Sequence, residues 1–403
     1  MASFRRAHTL YFLFGFLIGC TTVFWNNSFN SSDERKSLPQ KSVRNVANQK
    51  LGLSRQNEDI PDSHAIDDGA ANEARMLIFQ HEHEESELAK EIRENVRIFC
   101  WIMTSKNNTN SRAVHIHATW ASRCNKHVFI TANEGSDLPS IDLNVTEGRN
   151  YLWAKTKSAF KYIYEKELNN YDWFLKADDD TYVIVENLRF MLLAYSPNDP
   201  VYFGCKFKPF VKQGYMSGGS GYVLSREAVK RFAEDALPDP KKCKEKGTGA
   251  EDAEMGKCLE KVGVIAGDSR DINGKHRMLP FSPLTHLQEG GNKTMPAWFY
   301  KYMFYPYEQG EECCSDYVVS FHYVNKATLY ALHNLIYHIR AFGVSDDARS
   351  KLLASSKDEQ SLLESARSLA KAMSMPLESM NQTQNTEKPN KETEKEKETK
   401  KKE

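Results

Sequence analysis

Little in the sequence points to nucleic acid or to zinc. Lysine plus arginine and aspartate plus glutamate both number 54, so no overall basic field awaits a polyanion. None of the eight cysteines forms a CxxC pair, which argues against a structural zinc site. There is no GxGxxG opening a helix and no glycine loop ending in Lys-Ser or Lys-Thr, hence no dinucleotide fingerprint and no P-loop. Internal repeats are not evident. A chain of 403 residues holds one large domain or two ordinary ones.

The N-terminus carries Arg5, Arg6 and His8 and then an apolar run from Thr9 to Trp25, at the short end of what spans a bilayer. No A-x-A-like cleavage site follows, which favours a signal anchor over a removed signal peptide. Positive charge before the run and none just after it directs residues 1–8 to the cytosol and the rest to the lumen. Residues 26–95 read as a stem: polar to about Glu73, then dense in alternating charge. Residues 96–345 read as the folded domain, and residues 346–403 as a polar tail expected to be disordered, almost wholly Lys, Glu and Thr from Thr386. A lumenal body gives meaning to the sequons at Asn26, Asn30, Asn107, Asn144, Asn292 and Asn381, and it permits disulfides. Cys100–Cys124 and Cys243–Cys258 would close short loops. Adjacent Cys313 and Cys314 could bridge each other or find separate partners, and Cys205 is left as a free buried thiol.

Within the domain, apolar runs at Val96–Thr104, His127–Thr131, Trp173–Ala177 and Val201–Cys205 predict strands. Helical patterns lie between or after them, around 113–123, 150–169 and 186–195. That alternation predicts an α/β fold, in which ligands sit at the carboxyl ends of strands. A further strand is predicted over Val318–Val324 and a helix over Ala327–Phe342.

The third run ends in Asp178-Asp179-Asp180. Three neighbouring carboxylates repel unless a cation neutralises them, and hard oxygen donors suit Mg²⁺ or Mn²⁺ that also bind phosphate oxygens. An isolated DDD is more often a solvated turn; the buried strand before it favours a metal site. The stretch Gly214–Ser225 is a glycine-rich loop running into a strand, a close-approach site or a simple turn. Glu251 and Asp252 open a helix, where acids either complement the dipole or supply a general base. His322 lies among apolar neighbours and gains meaning only if the fold carries it to the DDD. Arg149 and Lys155 are bases that could meet a phosphate or stay on the surface. Aromatics crowd residues 298–307, either as core or as faces on which sugars stack.

Taken together, RIFCWIMT, HATWASRCNK, EGRNYLWAKT, DWFLKADDDTYV, YFGCKFKPFVKQGYMSGGSGYVLS, AGDSRD and CCSDYVVSFHYV resemble the fringe-like β1,3-glycosyltransferases, and KQGYMSGG with CCSD resembles their core 1 branch. The resemblance spans about Val96 to Phe342 and implies a GT-A fold, type II topology in the Golgi membrane and a lumenal catalytic domain. It implies transfer of galactose from UDP-galactose to GalNAc on glycoproteins, with Mn²⁺ held by Asp178, Asp180 and His322. It further implies a donor site of Met103, Gly148, Arg149, Lys155, Asp179 and Tyr323, Asp252 as base, and Trp298 stacked on the acceptor. A homodimer and a dedicated chaperone are expectations from the same resemblance. Two rivals remain: a sibling enzyme using another donor such as UDP-GlcNAc, and a catalytically inactive lumenal chaperone of the same family.

Overall fold

Six apolar residues, Ile98–Met103, form β1, and all are buried, as befits a strand covered on both faces. Our computed structural model describes residues 86–131, 137–289, 295–339, 361–377 and 379–380. The expected cytosolic tail, membrane anchor, most of the stem and most of the C-terminal tail lie outside these. Among the described residues no helix is long and apolar enough to cross a membrane.

The first described helix is α1 (Glu87–Asn95), N-capped by the Ser86 hydroxyl. After β1 come β2 (Lys126–Ile130), β3 (Ser140–Ile141), α2 (Leu152–Lys166), β4 (Trp173–Asp178), β5 (Tyr182–Val183) and α3 (Val185–Leu192). Then follow β6 (Val201–Gly204), β7 (Lys206–Phe207), β8 (Tyr215–Met216), β9 (Tyr222–Ser225), α4 (Glu251–Lys261), β10 (Ile265–Ala266) and β11 (Met278–Leu279). The last described elements are β12 (Ser320–Phe321), α5 (Lys326–Tyr337) and α6 (Ser361–Ala372).

The main sheet runs β10-β6-β9-β4-β1-β2-β3. β1 is parallel to β2 and to β4, whereas β9 is antiparallel to both β4 and β6, so the fold is mixed α/β. Alternation along the strands divides the core. Ile98, Cys100 and Ile102 join Trp173 and Leu175 on the face covered by α3, while Phe99 and Trp101 join Phe174 on the face covered by α2 and α4. A small sheet, β11-β12-β5, lies beyond the DDD and brings β12 antiparallel to β5.

Cys100–Cys124, Cys243–Cys258 and the adjacent pair Cys313–Cys314 are bridged, and Cys205 is free and buried.

Three expectations change. The strand predicted over Val318–Val324 is only Ser320–Phe321, because Tyr323 turns to φ +53° and ends the extended run. The helix predicted over 113–123 breaks into a wide turn at Thr109–Ala113, one α turn at Val114–His117 and a tight turn at Ala121–Arg123. There the Thr119 hydroxyl donates to the His115 carbonyl at 2.7 Å, competing with the backbone ladder. The polar tail, finally, contains α6. Ala366 and Ala370 are buried against the α3 face, and the Met373 and Met375 carbonyls accept bonds from Arg277 (2.8 Å) and Tyr195 (2.9 Å).

Candidate active site

Period-two alternation puts Phe174, Lys176 and Asp178 on one face of β4. Lys176 is buried; its ammonium lies 2.5 Å from Asp178 and donates to the Gly218 carbonyl at 3.1 Å. The turn after β4 is pinned by Trp120 Nε1, which donates to the Thr181 carbonyl at 2.9 Å, and by the Thr181 hydroxyl donating to Gly219 O at 2.8 Å. This turn splits the acidic triplet. Asp179 points inward, accepting from Thr104 (2.7 Å), Asn108 (2.9 Å) and Arg112 (3.0 Å). Asp178 and Asp180 face His322, and ligand atoms of all three lie within 4.8 Å of one another.

The histidine's second nitrogen decides how that cluster reads. His322 Nδ1 lies 3.2 Å from the Pro280 carbonyl, which can only accept, so Nδ1 carries the proton. In the neutral ring Nε2 then presents a lone pair to Asp180 Oδ1 at 3.1 Å. Two acceptors at that distance need a proton or a metal ion between them. Two carboxylates and an imidazole fit a divalent ion of the Mn²⁺ type. Gly219 keeps the ring in place: a Cβ there would lie 2.3 Å from it.

Facing this cluster, α4 opens with Glu251 and Asp252. Glu251 is buried and accepts from Tyr222 (2.6 Å) and Thr156 (2.9 Å). Burial raises its pKa against the pull of Lys176. Asp252 accepts from the Gly218 N–H at 3.1 Å and the Ala253 N–H at 2.8 Å; burial raises its pKa too, and those bonds oppose the rise. Asp252, Asp178, His322, Arg149, Trp298 and Tyr323 line one cavity of about 410 Å³. Asp180 and Asp179 line a neighbouring cavity of about 370 Å³, which shares Tyr323.

Met103, Gly148 and Lys155 are not among the residues lining either cavity. Met103 pairs in register with Asp178 at the end of β1. Gly148, at φ +125°, immediately precedes Arg149. Lys155 is buried, with its ammonium on the Thr104 carbonyl (2.9 Å) and on Glu147 (2.9 Å).

Residues 93–279 match the Fringe-like family. The chain is 44% identical over 263 residues to the glycoprotein-N-acetylgalactosamine 3-beta-galactosyltransferase 1 of Xenopus laevis, covering 65% of this chain and 72% of that protein. The chain belongs to the Fringe-like glycosyltransferases. More remote is a mouse beta-1,3-glucosyltransferase, 26% identical over 41% of this chain and 34% of its own length. Human chondroitin sulfate synthase 3 is 28% identical over 41% of this chain and 20% of its own.

In this Fringe-like chain, sequence reasoning missed Lys176, Arg112, Glu251's inward network and the role of Gly219. One signal was readable: Lys176 is a lone cation inside an apolar strand, two residues before Asp178 and hence on its face. Arg112 reaches both Asp179 (3.0 Å) and Asp180 (3.1 Å) from the wide turn Thr109–Ala113, and no local pattern announces that.

Proposed function

We propose that the chain is an inverting β1,3-galactosyltransferase of GT-A type, moving galactose from UDP-galactose to O3 of GalNAc linked to serine or threonine of glycoproteins. The observation that carries this reading is a carboxylate–histidine ligand set at the junction of two cavities, Asp178 and His322 lining one and Asp180 the other, with a carboxylate of raised pKa and an exposed tryptophan lining the first. The Xenopus relative's name gives the sugar and the acceptor.

Asp178, Asp180 and His322 would hold Mn²⁺, whose chemistry is to neutralise charge on the departing diphosphate. Asp252 accepts the proton of the acceptor's O3 as that oxygen bonds to the galactose anomeric carbon and the bond to UDP breaks. One displacement turns an α-linked donor into a β product, and no covalent nucleophile is required. Lys176 holds the Asp178 carboxylate, while the Gly218 peptide holds Lys176 through its carbonyl and Asp252 through its N–H. Arg149 and Tyr323 face the donor, with Met103, Gly148, Asp179 and Lys155 shaping the wall beside it. Trp298 offers its face to the GalNAc ring. Residues 9–25 would anchor this enzyme in the Golgi membrane, with 26–95 as its stem and 96–345 as the lumenal catalytic region.

The test uses full-length protein in detergent with UDP-galactose and a GalNAc-threonine peptide, with Mn²⁺ and with EDTA. Metal-dependent formation of Galβ1-3GalNAc is expected. Transfer of a different sugar, or no transfer by folded protein, would overturn the proposal.

A further inference from the structure

Three non-glycine residues among those described have positive φ: Asn144, Phe210 and Tyr323. Asparagine tolerates this region, but a bulky aromatic does so only under strain. Both aromatics are exposed, Phe210 at 65% and Tyr323 at 57%, so burial does not compensate either. Strain of this kind collects at functional positions. Tyr323 already lines the candidate active site; Phe210 has no such account.

The two residues are the ends of one path of rings. Tyr323 lies 6.0 Å from Phe281, Phe281 5.9 Å from Trp298, Trp298 5.3 Å from Tyr302, and Tyr302 6.0 Å from Phe210. The first four rings line the cavity that holds Asp252; Phe210 lies just outside. The outer end is tied to the sheet. Lys208 N donates to the Tyr302 carbonyl at 2.8 Å, Phe304 N donates to the Lys206 carbonyl at 3.0 Å, and Phe207 bridges Met303. The rings therefore stand on a fixed backbone, as a recognition surface requires.

We propose that Tyr302 and Phe210 form a ledge for the acceptor's polypeptide, with the Phe210 ring packing on an apolar side chain near the sugar-bearing residue. This rests on the reading that Trp298 takes the GalNAc ring. Continuity with that cavity selects the occupant, since the chain that carries the sugar must leave past its mouth. From Trp298 the ledge extends two ring-to-ring steps, at most about three residues of extended chain at ~3.4 Å each. The contact belongs to the second or third residue from the glycosylated one.

The test is equilibrium binding of a fluorescent GalNAc-threonine peptide to the full-length protein, alongside kcat/KM for that peptide and for a peptide-free GalNAc α-glycoside. Phe210→Gly removes the ring at a φ that glycine accepts, so the backbone persists. We expect peptide affinity to fall roughly tenfold and the selectivity for peptide-borne over peptide-free acceptor to fall with it, a factor typical of one lost aromatic contact. Phe210→Tyr should retain both, and a peptide with glycine flanks should bind wild type and Phe210→Gly alike. Equal losses on both acceptors, or unchanged peptide affinity, would overturn the ledge. So would a variant whose only change is loss of self-association in sedimentation, which would assign the ring to a subunit contact. If wild-type protein transfers no galactose to either acceptor, the proposed activity fails, and the binding measurement still decides the ledge.

Discussion

Lys176 and Asp178 share one face of one strand, and the ammonium sits 2.5 Å from the carboxylate with Glu251 3.9 Å away. Burial pulls the lysine's pKa down, but Asp178, Glu251 and Asp252 outweigh that and hold it above the ordinary value. Lys176→Met therefore leaves these carboxylates without their cation. We expect a loss of about 3–5 kcal/mol in urea unfolding, the cost of breaking a buried pair. Added Mn²⁺ should raise the variant's melting temperature more than the wild type's, because a bound cation replaces the missing charge.

Asp252→Asn keeps an oxygen to accept the Gly218 N–H but cannot take a proton. Transfer should fall by about 10²–10⁴ in kcat with the KM for UDP-galactose little changed. Burial raises the Asp252 pKa above 3.8. Only the ionised form is a base, so the wild-type rate should fall on acidification, at a higher pH than an exposed aspartate would require. A pH–rate profile measures this.

Gly219→Ala sets a Cβ 2.3 Å from the His322 ring, which must then move. Since that ring is the candidate ligand, Mn²⁺ affinity should fall about 10–100-fold, the range for disturbing a ligand's support. Titration followed by electron paramagnetic resonance reads the free ion directly.

His286 predicts how the fold responds to acid. The Phe281 N–H donates to its Nε2 at 3.1 Å, so its Nδ1–H faces Tyr307 Oη at 2.6 Å and the ring is neutral. Burial, with His276 nearby, pushes its pKa from 6.5 to about 3. Above pH 6.5 neither state binds the proton. Between 6.5 and about 3 the unfolded chain binds it and the folded one does not, so stability falls with pH, by up to about 1.4 kcal/mol per pH unit. Urea midpoints at pH 7.0 and 5.5 should show the loss, and His286→Gln should reduce it.

The parts of the site readable in the sequence are those set by short-range pattern. An apolar run ending in three aspartates marks a strand end, and acids opening a helix mark Asp252. Contacts that close the site are long-range. Arg112 meets the DDD from a turn, and His322 meets it only because β12 pairs with β5. Helix α6 was hidden for another reason. Its Leu363, Ala366 and Ala370 stripe is helical in spacing, but the polar residues around it lower the average that a composition reading uses.

That helix also bears on the order of synthesis. The Arg277 guanidinium is buried beside the small sheet that carries His322, and two of its bonds go to the Ser374 hydroxyl (3.2 Å) and the Met373 carbonyl. A chain emerging from the ribosome N-terminus first holds its acidic triplet and its histidine long before residue 374 is made. Until then Arg277 has the charges of Asp268 and Asp271 nearby but lacks these two acceptors, so this part of the enzyme completes its fold late in translation.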